Sequence, residues 1–413
     1  MKNIMKPFDL NRVIEQRRSF FSIELLLPFF LLFAQYRIGP ISIGSGLLMV
    51  VALQVFSHES GNVRYPMKFW PYYVFLVYIV ACDIFRAMLG PDPMQPEINR
   101  MCEYVVMFFL VFVACSQPFD EDLLYKYWKI AGVVFTVGIL FHVVQIYVFK
   151  HGISPISIIP GYVLRLEDSM ARFRPCSFFA EPAAFTNSML PLLFLSLKRN
   201  DFRWAVFCTI SILLSTSTVG VILSVVLWFA SLIIERGSFK KKIAMLVIFL
   251  PIIWIFLNME VFSVTQSKFF KVAEGESTFG SRVLVGLELI RNMSFFDLPF
   301  GTRYSNLGHY VTDNLDSLSE CRTLLRYWGY QRLFLNAFCR FIFQYGIVGL
   351  FLFLFPLIRY LNKKNYEAKA FIIMILLAIF GQSIVLNSYF FMLIMFSIIY
   401  DNKSKMSGYE VVK

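Results

Sequence analysis

Residues Arg172–Pro191 read RFRPCSFFAEPAAFTNSMLP. Two arginines, a proline and a Glu-Pro pair stand at the mouth of a long apolar segment. A carboxylate beside lipid is costly unless it is paired or faces a polar cavity. A chain that keeps this cluster at a helix entrance is expected to use it on an anionic substrate. Around it, apolar runs of about 17–25 residues recur along the whole length, the mark of a polytopic helical membrane protein. Of the 413 residues, 58% are hydrophobic and 16% charged, with mean hydropathy +0.64. A soluble domain would carry about a quarter charged residues. The formal charge of +12 does not imply nucleic acid, because basic residues flanking spans are ordinary topology signals.

The expected fold is an all-α polytopic membrane protein of about twelve transmembrane helices. It forms one integral membrane domain over 1–413, with two extended outer loops at 150–175 and 259–335 that contain interfacial helices. The first run, about Phe20–Tyr36, follows MKNIMKPFDLNRVIEQRRS without a small-residue cleavage site and reads as a retained signal anchor. Further spans are expected at about Phe69–Leu89, Met101–Ser116, Trp128–Phe149, Cys176–Leu197, Ile243–Asn258 and Asn336–Leu357, with two short ones at Ala370–Leu386 and Tyr389–Tyr400. A further span runs from the Arg37–Pro40 turn to Phe56. Trp204–Glu235 is long for one helix and short for two. Its middle, Ser215–Gly220 (STSTVG), predicts two short helices or a hairpin meeting there; one long tilted helix is the alternative.

Sidedness follows from the basic residues. With a cytoplasmic N-terminus, inner segments hold 15 Lys and 8 Arg, and outer segments with adjoining span ends hold 3 Lys and 13 Arg. Dense basic clusters in short inner loops satisfy the positive-inside rule. The outer charges are arginine rather than lysine, the better bidentate partner for phosphate and also the one that better tolerates partial burial.

In the first outer loop Arg165, Arg172 and Arg174 precede Glu181, and Pro182 suits a first helical turn. Glu181 reads either as a carboxylate that orients or deprotonates a sugar hydroxyl, or as a helix-start residue complementing the dipole. In the second loop Arg282, Arg291 and Arg303 accompany an amphipathic helix over Arg282–Asn292, with Val283, Leu287 and Ile290 at helical spacing and a turn at Pro299–Gly301. A second interfacial helix with Arg322, Arg326 and Trp328 follows. Asp83 and Arg86 can pair on one face of a span. Glu24 and Glu103 have no partner in sequence, and His142 reads as a packing histidine. Seven cysteines show no CxxC spacing; Cys176 and Cys321 are the two that could share an oxidising compartment. Four histidines without ligand spacing predict no metal.

Several of these pieces resemble the Wzy-type O-antigen polymerases. They are Arg-x-Arg-Pro-x-Ser-Phe-Phe-x-Glu-Pro at Arg172–Pro182, the small-residue break at Ser215–Gly220, and Ser281-Arg282 followed by Leu-Pro-Phe-Gly at Leu298–Gly301. The last is Asn336 followed by Gln-Tyr-Gly-Ile-Val-Gly at Gln344–Gly349. The similarity covers roughly Arg172–Pro356; the N-terminal spans agree only in hydropathy. The resemblance implies a metal-independent glycosyltransferase without cofactor, in lipopolysaccharide or related polysaccharide biosynthesis. It would polymerise undecaprenyl-diphosphate-linked repeat units outside the bacterial inner membrane, with both termini cytoplasmic. Polyprenyl-diphosphate-linked glycan would be donor and acceptor, membrane lipids would surround the protein, and a chain-length regulator could bind. Glu181 and Arg282 would be catalytic; Arg172, Arg174, Arg291, Arg303 and Asn336 would bind substrate. An O-antigen ligase would usually carry a histidine where Leu335 stands. A transporter or flippase of lipid-linked glycan would show internal repeats, and none is clear. The Arg-x10-Gly pattern of some polymerases is missed by one residue between Arg291 and Gly301.

Overall fold

The apolar runs among the described residues fold into helices. The structure, a computed structural model, describes residues 22–38, 41–58, 70–115, 119–160, 162, 174–234, 247, 278–318, 335–361, 366–382 and 386–410. Among these the only strands are β1 (Arg37–Ile38) and β2 (Ile41–Ser42), a short antiparallel pair with Arg37 opposite Ser42. The N-terminal helices are α1 (Ile23–Ala34), α2 (Ile43–His58), α3 (Trp70–Leu89), α4 (Met94–Ala114) and α5 (Glu121–Tyr147). Next come α6 (Pro182–Lys198), α7 (Phe202–Leu214) and α8 (Thr218–Ile234). The second loop contributes α9 (Thr278–Arg291), α10 (Asp297–Phe300) and α11 (Leu307–Asp313), and the C-terminal part α12 (Ala337–Leu361), α13 (Tyr366–Gly381) and α14 (Ser388–Glu410). The expected span over Ile243–Asn258 and the helix carrying Arg322, Arg326 and Trp328 lie outside the described residues.

Local chemistry sets the helix ends. Ser22 caps α1, its hydroxyl accepting from the Leu25 N–H at 3.4 Å. Asp120 caps α5 by accepting from Asp122 and Leu123, and Glu121 and Asp122 in the first turn complement the dipole. Among the described residues three helices are long and apolar enough to cross a membrane: Trp70–Leu89, Glu121–Tyr147 and Ala337–Ile358. Shorter apolar helices stand beside them, including Ile23–Ala34 and Phe202–Leu214. Val77, Phe85 and Met88 on α3 and Val137 and Phe141 on α5 are exposed. Large apolar side chains facing outward on such long helices suit a lipid solvent. Inside, Phe75, Phe108, Phe341, Phe353 and Phe391 join α3, α4, α12 and α14; Phe341 and Phe353 stack with centroids 4.4 Å apart.

The Trp204–Glu235 stretch divides as two helices rather than one. Helix α7 stops at Leu214, Thr216 takes a left-handed φ of 55°, and α8 starts at Thr218. Ser215 Oγ accepts from the Ser217 N–H and Ser217 Oγ from the Gly220 N–H, both at 3.3 Å. The hydroxyls of the break thus satisfy two of its own backbone amides.

A second break lies in α12. Gly346 has φ 67° and ψ −175°, so the helix bends between Tyr345 and Ile347 and carbonyls of the preceding turn lose helical partners. Each finds a donor from elsewhere. The Thr302 N–H donates to Phe343 O at 2.8 Å, the Arg86 guanidinium to Gln344 O, and the Tyr78 hydroxyl to Tyr345 O at 2.8 Å. The Leu298–Gly301 turn seats directly on this break. A Cβ on Gly346 would overlap the Pro299 carbonyl, and one on Gly301 (φ 90°) would overlap the Gln344 carbonyl. Helix α9 closes the other flank through buried Val285 and Leu289, which pack with Leu335, Cys339 and Phe343. Leu287, expected on the apolar face, is instead half exposed. Periodicity finds a helix but does not choose which of two neighbouring stripes meets protein.

Gly346→Ala is expected to lower the thermal unfolding midpoint of the purified protein by the equivalent of about 2 kcal/mol or more, through left-handed strain and overlap with the loop. Gly46→Ala, where nothing lies within 4 Å of the added Cβ, is expected to be neutral or to stabilise by up to about 1 kcal/mol. Equal midpoints for the two variants would contradict the packing described.

Candidate functional site

The two ends of the bundle differ in charge chemistry. At one end lysines and an arginine pair with acids: Lys198 with Glu121 at 2.7 Å, Arg199 with Asp122 at 2.6 Å, and Lys129 with Asp201 at 3.2 Å. Glu24 lies there too, accepting the Asp120 N–H at 2.8 Å. The opposite end holds the α1–β1 corner, the α3–α4 turn, the start of α6, the second loop and the start of α12, and among the described residues it carries Arg37, Arg100, Arg174, Arg303 and Arg340.

That end is tied together by polar contacts. Asp92, in the α3–α4 turn, accepts from Ser305 N–H (2.7 Å), Ser305 Oγ (2.9 Å) and Asn306 N–H (2.8 Å), and also meets His309 Nδ1. Its side chain is only 4% exposed. Burial alone would raise its pKa; the hydrogen bonds from Asn306, His309 and Ser305 outweigh that and hold the carboxyl below the usual carboxylate range. The Ile158 N–H donates to the Tyr36 hydroxyl at 2.9 Å and the Ala180 N–H to Gln35 Oε1 at 2.6 Å. His142, fully buried, accepts the amides of Cys176 and Ser177 through Nδ1 at 3.3 and 3.1 Å. It is a packing histidine that orients the approach to α6.

Within this end lies a cavity of about 190 Å³. Arg37, Arg100 and Arg340 line it with Glu103, Tyr104 and Gln344, and the α13–α14 turn closes one wall. Glu103 pairs with Arg37 at 3.0 Å. Behind the wall, Asp83 and Arg86 form a buried ion pair, and Arg100 stands 3.7 Å from the same Asp83 oxygen. The Arg86 guanidinium also lies over the Tyr345 ring, 4.8 Å from its centroid. Arg86 thereby connects the helix break to the cavity.

Glu181 is the residue before α6: it is exposed, its carbonyl accepts from Ala184 and Phe185, and Pro182 takes the first helical position. Since Ala180 is held by Gln35, Glu181 lies beside the strand that carries Arg37. Arg174 donates to the Thr216 carbonyl at 2.9 Å, so it braces the break between α7 and α8. Arg291 ends α9 and is exposed; Arg303 is exposed with its guanidinium over the Tyr304 ring. Asn336 is buried and caps α12, its Oδ1 accepting from the Cys339 N–H at 2.8 Å. Arg172 lies outside the described residues, and Arg282 belongs to α9 with its side chain outside them as well. Of the predicted catalytic and substrate-binding residues whose side chains are described, none lines the cavity, whereas Glu103 and Gln344, also singled out in the sequence, do. Arg37, Arg100 and Arg340 were visible in the sequence only as members of the outer arginine excess. The six described cysteines are free, among them Cys176; Cys321 lies outside the described residues. No cluster of His, Cys, Asp or Glu suited to a metal ion occurs among the described residues.

In comparisons with known proteins, no family model matches the sequence and no curated protein matches it.

The sign of the Asp92 shift fixes a pH dependence. A carboxyl held below its unfolded value contributes stability above about pH 4, and that contribution is lost as pH falls through the lower folded value. Hydrogen exchange at the Ser305 and Asn306 amides, corrected for intrinsic rates, should be unchanged between pH 7 and 5 and accelerate below about pH 4. Asp92→Asn should show the faster exchange already at neutral pH; unchanged exchange in that variant would contradict the clamp.

Proposed function

We propose that this chain polymerises polyprenyl-diphosphate-linked oligosaccharide repeat units into O-antigen or a related surface polysaccharide, as an integral protein of the bacterial inner membrane. In this reading the chain has about twelve spans, cytoplasmic termini, and its arginine-rich end outside. The observation that carries the reading is the meeting of two separate motifs. Leu298–Gly301 and Gln344–Gly349 belong to the resemblance with Wzy-type polymerases, and they interlock at the Gly346 break, at the end of the bundle that bears Glu181 and the arginines.

The chemistry suits that end. The acceptor sugar hydroxyl attacks the anomeric carbon of the donor. A glycosidic C–O bond forms as the bond from that carbon to the diphosphate oxygen breaks, and its electron pair leaves with polyprenyl diphosphate. The hydroxyl proton passes to a carboxylate, for which Glu181 is the candidate. Guanidinium groups stabilise the charge that develops on the diphosphate; Arg172, Arg282 and Arg291 are the loop candidates, with Arg303 for the glycan. The leaving group is already activated, so no nucleotide is needed.

The test is the surface glycan of a strain lacking the gene. One repeat per lipid core is the expected result; absence of any repeat would indicate a ligase or flippase and overturn the reading. Complementation with Glu181→Gln should leave chains shortened or absent, a loss of about 10²-fold or more in transfer rate. Full-length chains from that variant would remove Glu181 from the base role.

A further inference from the structure

We infer that the second loop re-enters the bilayer and that its corner, Ser294–Phe300, is a lipid-docking surface. Phe295, Phe296 and Phe300 insert at the acyl–headgroup boundary of the leaflet on the arginine-rich side. The inference needs the membrane-spanning helices and not the polymerase reading.

Depth is the first observation. Helix α3 has 20 residues, about 30 Å, the thickness of a hydrocarbon core. Cys82 Sγ lies 3.9 Å from the Phe300 carbonyl oxygen. Cys82 stands seven residues before the end of α3 at Leu89, about 10 Å inside it. Helix α12 gives the same answer. The Pro299 carbonyl lies against Gly346, nine residues into a helix that starts at Ala337, about 13 Å. The chain goes in along one helix and comes out along the other. On the way in, Gly286 lies against Cys339, near the start of α12. On the way out, the Arg303 carbonyl lies against Gly90, just past the end of α3, and Ser305 against Asp92. Non-helical backbone at such depth persists only where protein satisfies it. The Thr302 amide, donating to the Phe343 carbonyl, meets that condition on the inner face.

The face turned away from protein is the second observation. Phe295, Phe296 and Phe300 are 85%, 82% and 62% exposed, and the first two rings meet edge to face with centroids 5.9 Å apart. An aromatic cluster left open to this degree is costly in water and marks a contact surface. The covering partner is lipid, because the corner continues two faces that already look outward. Phe85 lies one turn past Cys82, Ile347 and Phe351 follow Gly346, and all three are at least half exposed. Helix α9, expected at the interface, packs Val285 and Leu289 on protein instead, so the lipid contact passes to the corner after it. The nearest charges are Arg291 and Asp297. Ser294 Oγ donates to Asp297 Oδ2 at 2.8 Å, and the long Arg291 stem lets its guanidinium reach the headgroups. These charges set the corner at the boundary rather than at mid-bilayer.

The experiment places the photoreactive analogue p-benzoylphenylalanine at position 296 and, in a second variant, at Thr312, exposed on α11. Each full-length chain is reconstituted in phospholipid nanodiscs wide enough for two copies, irradiated, and its peptides weighed. A phospholipid adduct is expected at 296, about tenfold or more above that at 312. Phe296→Trp measures depth in a chain that keeps an aromatic ring there. Its added fluorescence should be quenched by about half or more by lipids brominated near the top of the acyl chain, and less by bromines near the chain end. Equal adducts at 296 and 312, a covalent dimer through 296 in place of the lipid adduct, or added fluorescence that brominated lipid leaves unchanged overturns the inference. These readouts involve no glycan. A normal surface polymer in the deletion strain therefore removes the polymerase and leaves the docking surface, and absent adducts remove the docking surface and leave the polymerase.

Discussion

The arginine-rich end of this bundle depends on one constraint: the carbonyls released where α12 breaks at Gly346 must be hydrogen-bonded away from water. Three donors meet that demand, the Thr302 amide, the Tyr78 hydroxyl and the Arg86 guanidinium. Much else follows. Burying Arg86 requires a counterion, which Asp83 provides one turn earlier on α3. Asp83 in turn draws Arg100 to the edge of the cavity. The Thr302 amide arrives only if the Leu298–Gly301 turn can touch α12 backbone to backbone, and glycine at 301 and 346 permits that approach.

The loop so fixed is anchored a second time by Asp92, which gathers Ser305, Asn306 and His309 around one buried carboxylate. A long segment between spans is thereby held at two points, and its short core of Val285, Leu289 and Phe343 continues the packing of α12. The opposite end needs no such device. Its lysines sit in partly exposed pairs with Glu121 and Asp201, the arrangement expected where flanking charges set orientation. At the arginine end Arg86, Arg37 and Arg303 meet a carbonyl, carboxylates and rings.

Much of the fold was legible in the sequence because lipid solvent imposes long apolar runs, and hydroxyl-glycine breaks such as Ser215–Gly220 interrupt them visibly. The Asp83–Arg86 pair was legible from its spacing. The partners of Glu24 and Glu103 were not, since the Asp120 amide and Arg37 are separated from them by 96 and 66 residues. The candidate site was less legible. The excess of arginine on one side pointed to that end of the bundle, but the motif at Arg172–Glu181 drew attention to Arg174, which braces Thr216. The cavity assembles Arg37, Arg100 and Arg340 across more than three hundred positions of chain, and no local pattern encodes that. Asn336, picked for its place after a loop, proves to cap α12, a role asparagine fills at many helix starts.

The measurement that tests the central constraint most directly is the stability of Arg86→Met, read with the protease sensitivity of residues 278–318. Removing one partner of a buried ion pair leaves the other uncompensated and should cost about 3–5 kcal/mol. The Gln344 carbonyl would lose its donor at the same time, and the second loop should become cleavable. A variant as stable as the parent, with that loop still protected, would contradict the account.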